Sequence, residues 1–322
     1  MGHRNAIDTA RASILHLKAI GSYVHMWQDG MSERSKKHHF VPRVLQRQFA
    51  CEGGRIWYAT RNQGSYGAPQ LRNMESTFRM KDLYTVLVDG QYSDVVEREF
   101  YGGIDNYLGE IIPEVLEAFR RGLTPQFRGE ALEEIRQCAL AMIRRTPDFS
   151  PAIYGTDEER GRDFVDKLIS AYLASGTNAQ IIESLELELH DPARLRARGR
   201  DIRVRATVSP LSTAGEMIRE FSIRWAISER RSAFILPSIM SFRIGNGGPT
   251  SLANPRVEIW MPISRDLAMV LVRDKFGKVP IASLISRARV REVNEHAMKL
   301  STSIGSHSKL LLESLTGRRA KA

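Results

Sequence analysis

The chain has 322 residues, of which 42% are hydrophobic and 26% are charged, and its formal net charge is +10. These values are typical of a globular protein and argue against a disordered chain, and the two cysteines, Cys51 and Cys138, are too few for a disulfide-stabilised scaffold. No apolar run approaches the ~18 residues that a membrane-spanning helix needs, so we expect no membrane association and a cytoplasmic location.

Residues 1–35 differ from the rest of the chain because they are polar and weakly patterned. Met31 is followed by SERSKKHHFVP, which has the character of a natural start. We therefore predict that the protein begins near Met31 and that residues 1–35 are a non-native or disordered extension.

Residues 40–90 are predicted to form strands and turns. The segment 55–60 (RIWYAT) is rich in residues that favour strands and follows the turn signal Gly53-Gly54. The segment 82–88 (DLYTVLV) is predicted to be a second strand.

Residues 93–190 are predicted to form a helical region. Gly102-Gly103 is expected to interrupt its first helix, and Thr124-Pro125 is expected to begin the next one. Two further helices are predicted from the spacing of capping boxes, Thr156 with Glu159 and Thr177 with Gln180.

The positive charge is most concentrated in residues 193–206 (ARLRARGRDIRVRA). Arginine is suited to bidentate contacts with phosphate, so this stretch is compatible with a nucleic-acid interface. A solvated loop or an edge strand explains the same pattern equally well. The net charge supports nucleic acid or another polyanion as the predicted partner.

The C-terminal third is predicted to contain strands followed by one helix. Residues 221–227 and 232–236 are expected to form a hairpin, and 257–263 and 267–272 are expected to be strands. The closing amphipathic helix has an apolar face formed by Val290, Val293, Ala297, Leu300 and Ile304.

This order of elements predicts an α+β fold. We expect an antiparallel sheet built from the N- and C-terminal segments, with a central helical insert at 93–190. The expected organisation is a single domain at 36–305, followed by a C-terminal tail at 306–322.

The segment 36–50 (KKHHFVPRVLQRQFA) resembles the opening of a bacterial family known as domain of unknown function 4238. Further stretches resemble the family's motifs in the same order, and together they cover roughly residues 36–305: Asp82-Leu83-Tyr84, Arg145-Thr146-Pro147, residues 259–263, and residues 293–297. The resemblance implies an extent and a set of positions to compare, but no established activity.

One position departs from the family pattern. Many relatives carry an aspartate after the segment that corresponds to 234–235, and this chain has Ser238 near that position, with no carboxylate close by in the sequence. If that aspartate carries chemistry in the family, the departure implies an altered or inactive member.

The HHFVP segment (residues 38–42) is similar to the metal-binding strand of ββα-metal nucleases, in which one histidine activates water and others hold a divalent ion. In this interpretation His39 is the general base, and His38, His39 and Asp82 hold the metal. The alternative is structural: His39 bonds backbone carbonyls, and Leu45 and Phe49 anchor a short helix.

Arg145 and Glu97 complete the predicted catalytic set with His39, because Arg145 is suited to bind phosphate. The alternative for Arg144 and Arg145 is compensation of the helix dipole and an ion pair with a carboxylate such as Glu97. Asn294 either bonds sheet backbone or lines a pocket. The other residues assigned to the candidate pocket are Arg43, Gln48, Tyr84 and Arg144.

Two functional classes follow. The first is an enzyme acting on nucleic acid or a phosphorylated ligand, in a defence role. The second is a non-catalytic binding module in which the HHFVP segment is structural. The sequence has no Walker, GxGxxG, GxSxG or HExxH motif, so the corresponding chemistries have no support.

Overall fold

The computed structural model describes residues 37–88, 91–149, 155–176, 179–208 and 212–317. A run of helices separates two groups of mainly antiparallel strands in an α+β architecture, as predicted. The strands are β1 Lys37–His39, β2 Arg55–Asn62, β3 Ser65–Tyr66, β4 Gln70–Asn73, β5 Arg79–Lys81, β6 Val86–Val88, β7 Gln91–Ser93, β8 Phe221–Ser228, β9 Leu236–Pro237, β10 Phe242–Ile244, β11 Glu258–Pro262, β12 Leu267–Arg273, β13 Ala282–Ile285 and β14 Ser303–Ser306.

The helices lie mainly between β7 and β8. They are α1 Arg43–Gln48, α2 Gly102–Arg120, α3 Gly129–Arg145, α4 Asp157–Ser175, α5 Ala179–Leu189, α6 Pro192–Val208, α7 Ser212–Ile218, α8 Arg287–Leu300 and α9 Lys309–Thr316, with a π-helical turn at Val96–Tyr101. Among the described residues, none of these helices has the length and apolar character needed to cross a membrane.

The first of two larger sheets unites the two ends of the described chain. Its strand order is β3-β2-β14-β9, and β4 also pairs with β2. All of these pairings are antiparallel. The predicted sheet of N- and C-terminal segments is therefore present.

The second larger sheet comes from the C-terminal half and has the order β10-β11-β12-β8-β13. Its pairings are antiparallel except for β13, which runs parallel to β8. The helical insert packs against it at Trp225, whose indole nitrogen donates to the Pro125 carbonyl at 2.8 Å and whose ring contacts Phe119 and Phe127.

Several sequence predictions about local elements are wrong. The segments 221–227 and 232–236 do not form a hairpin, because β8 and β9 belong to different sheets. Gly102-Gly103 does not interrupt the helix, since the π-helical turn at Val96–Tyr101 continues directly into α2. The helix after Thr124-Pro125 begins only at Gly129.

Other boundaries also differ. Ile304 lies in β14 instead of on the last helix, and the segment assigned as a C-terminal tail contains α9, whose Leu312 is fully buried. The capping box of Thr156 and Glu159 is confirmed. Residues 1–35 and Thr177 lie outside the described residues, so the predictions about them stay predictions.

The arginine-rich stretch is neither a loop nor an edge strand, because it forms α6. This helix crosses α4 at very short range through two buried glycines, Gly161 and Gly199. A methyl group at Gly199 would overlap the backbone carbonyl of Asp157, and one at Gly161 would overlap that of Leu195. The two backbones are therefore closer than any side chain would permit.

We expect Gly199→Ala to lower the free energy of unfolding by about 1–3 kcal/mol, because the backbone of α4 cannot move aside as a flexible side chain could. Gly109→Ala is the matched control: it lies in α2 with open space around it, so the substitution should stabilise by about 0.5–1 kcal/mol. Urea denaturation of both variants measures the difference. Equal stability of the two would contradict the close crossing.

Candidate functional site

The HHFVP segment is held in place by β1, which pairs antiparallel with β5 so that His38 lies opposite Met80 and His39 opposite Arg79. Successive side chains of a strand point to opposite faces. Accordingly His38 is fully buried, whereas His39 is half-buried. The next residues, Phe40 and Val41, are buried in the main core.

His38 has a structural contact. Its Nδ1 accepts a hydrogen bond of 2.9 Å from the backbone nitrogen of Tyr84, and the two rings are nearly parallel with centroids 5.6 Å apart. Tyr84 is itself buried and was predicted to belong to the pocket. Its hydroxyl donates to the backbone carbonyl of Arg145 at 2.5 Å.

Arg145 is the last residue of α3, and its guanidinium is buried. It donates to both carboxylate oxygens of Asp105 on α2 and, at 2.9 Å, to the backbone carbonyl of His39. Its guanidinium carbon also lies 4.8 Å from the ring centroid of Tyr101. Burial alone would lower the pKa of Arg145, but the charge and hydrogen bonds of Asp105 outweigh burial and raise it.

Glu97 lies on the π-helical turn, close enough to Arg145 of α3 to feel its charge. Such turns often occur at functional positions. Burial raises the pKa of Glu97 to about 7, while Arg145 opposes this shift and the carboxylates of Asp105 and Asp94 add to it. Its Oε2 is buried without a hydrogen-bond partner in the part of the chain that the structure describes. Burial thus favours the protonated form of Glu97 to a higher pH than in an exposed glutamate.

His39 completes the set through its backbone carbonyl, which accepts from Arg145. We call this set the Arg145 cluster: His39, Glu97, Tyr101, Asp105 and Arg145. Burial and the charge of Arg43 lower the pKa of His39, Arg79 and Arg145 add to this, and a backbone hydrogen bond with Glu75 opposes it. Its Nε2 is also buried without a partner among the described residues. The groups that influence the pKa of His39 do not include Glu97, and those that influence Glu97 do not include His39. Both unpartnered atoms are closed to solvent.

The predicted metal ligands do not form a binding site. Among the described residues, no group of three or more His, Cys, Asp or Glu side chains is placed to hold a metal ion. The Nδ1 of His38 is already occupied by Tyr84, and Asp82 lies in a turn with a φ of +55°. These contacts give no support to a divalent ion held by His38, His39 and Asp82, and no finding tests that role further, so it stays a prediction.

The remaining predicted pocket residues are dispersed. Arg43 is exposed and pairs with Glu75 at 3.0 Å, while Arg144 donates to the carbonyl of Ala206 on α6. Gln48 is half-buried on α1. The buried glutamine of this helix is Gln46, which donates to the Val41 carbonyl and accepts from Thr77.

Asn294 lies on α8 and lines a cavity described below, which is one of the two alternatives given for it, whereas the backbone that it bonds belongs to the segment before β9 and not to a strand. Its amide nitrogen donates to the Ala233 carbonyl at 2.8 Å, and its oxygen accepts from the backbone nitrogen of Ile235.

Ser238 has a carboxylate beside it that the sequence does not reveal. Its hydroxyl donates to Asp148, which follows the Arg-Thr-Pro motif and is 90 residues away in sequence. Asp148 also accepts from the backbone nitrogen and the hydroxyl of Thr302. Ser238 therefore has no carboxylate near it in the sequence, but the fold places one beside it.

A cavity of about 360 Å³ opens at the C-terminal helices, and we call it the arginine cavity. Its lining includes one carboxylate, Asp266. It also includes four arginines: Arg231, Arg265, Arg287 and Arg291. The side chains of Arg231 and Arg287 are exposed and make no hydrogen bond or ion pair with any described residue. Arg265 pairs with Asp266 and Arg291 with Glu295, so two of the four positive charges have no ion pair among the described residues.

Sequence reasoning missed the arginine cavity because its residues come from separate segments. Arg231 lies in the connection after β8, Arg265 precedes β12, and Arg287 and Arg291 lie on α8. The available signal was the charged turn SERR at 228–231 together with the SRARVR run at 286–291.

The arginines of α6, by contrast, are mostly neutralised. Arg200 lies over the ring of Tyr92. The other five form ion pairs: Arg194 with Asp191, Arg196 with Glu158, Arg198 with Glu188, Arg203 with Asp157, and Arg205 with Asp201. Five of six positive charges are therefore balanced locally.

These features define an α+β protein with a buried arginine–carboxylate cluster and a separate arginine-lined cavity. The model of the family described as protein of unknown function DUF4238 matches residues 37–304, so the chain belongs to that family. No curated protein and no solved structure matches the chain.

We expect Arg145→Ala to lower the free energy of unfolding by about 3–5 kcal/mol, because it leaves a cavity, an unpaired Asp105 and an unbonded His39 carbonyl. Arg43→Ala is the matched control, since its exposed ion pair should be worth less than about 1 kcal/mol. Guanidinium chloride denaturation measures both. An Arg145→Ala protein as stable as the control would refute the structural role of the pair.

Glu97 should make stability depend on pH. Its pKa in the folded state lies above the ordinary value, so the folded state binds more protons, and stability is lost as pH rises from about 4.5 to 7. Between pH 5 and 8 the wild type should lose about 1–3 kcal/mol more than Glu97→Gln. Glu99→Gln, an exposed site in the same turn, should keep the wild-type profile. Parallel profiles for wild type and Glu97→Gln would contradict this assignment.

Proposed function

We propose that the protein is a non-catalytic binding module for a phosphorylated or other polyanionic ligand, and that its HHFVP segment is structural. The observation that carries the proposal is the arginine cavity, in which two exposed guanidiniums have no carboxylate partner. Guanidinium groups form short, charge-assisted hydrogen bonds with phosphate oxygens. The net charge of +10 adds long-range attraction for such ligands.

The contacts of the HHFVP segment support its structural role. His38 bonds the backbone of Tyr84, and the carbonyl of His39 accepts from Arg145. The guanidinium of Arg145 is already occupied by Asp105 and is buried, so it is not free to bind phosphate.

The second candidate is an enzyme acting on nucleic acid or a phosphorylated ligand, with a role in bacterial defence. It is favoured by Glu97, whose pKa of about 7 suits a general acid or base at neutral pH. For this function the Arg145 cluster would have to open, because Glu97 Oε2 and His39 Nε2 are both buried.

One pair of variants with equal charge tests the proposal. The double variant Arg231→Ala/Arg287→Ala removes two positive charges from the cavity, and Arg194→Ala/Arg196→Ala removes two from α6. Calorimetric titration with pyrophosphate should show affinity at least about tenfold weaker in the first variant and within about twofold of wild type in the second. Equal losses would mean that only net charge matters.

The same proteins also separate the two functions. Each is incubated with a single-stranded oligonucleotide and Mg²⁺ or Mn²⁺, together with His39→Ala and Glu97→Gln. The binding-module proposal expects no cleavage. Metal-dependent cleavage that is lost in either folded single variant would reject it in favour of the enzyme.

A further inference from the structure

The size of the arginine cavity limits what it can bind. About 360 Å³ is at the lower end of the range for small-molecule sites, roughly 300–1,000 Å³. A ligand of this size is a compact molecule, whereas single-stranded nucleic acid is usually bound along an extended basic groove with aromatic side chains for base stacking. The lining of the arginine cavity has no Phe, Tyr or Trp.

The charged part of the lining suits one multiply charged group. Arg231 and Arg287 come from different segments and are unpaired among the described residues. Arg291 is held by Glu295 at 2.7 Å and donates to the hydroxyl of Ser314 at 3.1 Å, which fixes its position at the rim. A phosphate monoester carries about two negative charges at neutral pH, and the two free guanidiniums could balance them.

His307 adds a polar group that has no partner. Its Nδ1 is buried and makes no hydrogen bond within the described part of the chain. An unpartnered buried nitrogen is unfavourable unless a ligand or water satisfies it. The His307 ring also lines the cavity, so its environment reports on a ligand bound there.

Part of the lining is apolar, while Ser232, Ser308 and Ser314 add small polar groups. Val290 on α8 and Leu311 and Leu315 on α9 contribute aliphatic surface next to the arginines. Such surface binds an apolar part of a ligand by removing it from water. We call the four arginines the charged side of the cavity, and Val290, Leu311 and Leu315 its apolar side.

The wall formed by α9 lies beyond the family match, which ends at residue 304. His307, Ser308, Leu311, Ser314 and Leu315 all follow it. The charged side is thus built mainly from family-matched residues, and the apolar side largely from the segment after them.

We propose, building on the binding function above, that the cavity takes a compact phosphate monoester with an apolar substituent, and that α9 selects that substituent. The arginines hold the phosphate, and Leu311 and Leu315 contact the apolar group. Nucleic acid is the competing class of ligand, and it is an outcome of the test.

The test compares phenyl phosphate, inorganic phosphate and a ten-nucleotide oligothymidylate by calorimetry. Phenyl phosphate should bind the wild type at least about tenfold more tightly than inorganic phosphate. Leu311→Trp fills the apolar side, so it should remove that preference and leave inorganic phosphate within about twofold. Arg231→Ala/Arg287→Ala should weaken both phosphates.

A measurement on the wild-type protein keeps the proposal testable even if Leu311→Trp does not fold. Saturating phenyl phosphate should shift the NMR signals of the His307 ring, assigned with His307→Gln, and leave those of His190 unchanged. Unresponsive His307 signals would overturn the proposal.

The outcomes distinguish the two levels of the proposal. If no anion binds in an arginine-dependent manner, the proposed binding function itself fails. If inorganic phosphate binds through Arg231 and Arg287 but phenyl phosphate gains nothing, only the selection by α9 is overturned. Tighter, arginine-dependent binding of the oligothymidylate would replace the phosphate monoester with nucleic acid.

Discussion

The ion pair of Arg145 and Asp105 is the interaction on which the arrangement of the N-terminal half depends. A buried guanidinium is tolerated only when its charge and its donors are satisfied. Asp105 balances the charge, and the carbonyl of His39 and the ring of Tyr101 take up further contacts, whereas the Nε of Arg145 has no partner among the described residues. One side chain thereby connects β1, the π-helical turn, α2 and the end of α3, and so joins the HHFVP segment to the Arg-Thr-Pro motif.

Sequence reasoning found the participants of this cluster but assigned them another role. His39, Glu97 and Arg145 were grouped as catalytic, and the charge of Arg145 does lower the pKa of both His39 and Glu97. Asp105 was missed because nothing in its local pattern distinguishes it from an exposed helical carboxylate. Which of several acids faces a buried arginine is decided by the packing of helices, and a sequence pattern does not contain that information.

The fold shows the same division between local and distant information. The strands β11 and β12 were predicted correctly, since alternation and a continuous apolar run are local signals. The prediction of a hairpin at 221–236 was wrong. A charged turn indicates only that the chain changes direction, and β9 pairs with the distant β14 instead of with β8. The arginine-rich stretch was compatible with a loop or an edge strand because the sequence does not show that Glu158 on α4 and Glu188 on α5 pair with the arginines of α6.

The pairing of β2 with β14 affects how the protein can be made. Arg61 bonds the carbonyl of Lys299, a contact between residues 238 positions apart, and the sheet around it joins the two ends of the described chain. Contacts of such long sequence separation close late and slow folding. During synthesis, β2 leaves the ribosome long before its partner exists, so its edge stays open to other chains for most of translation. Protection of that nascent edge is therefore a requirement of this topology.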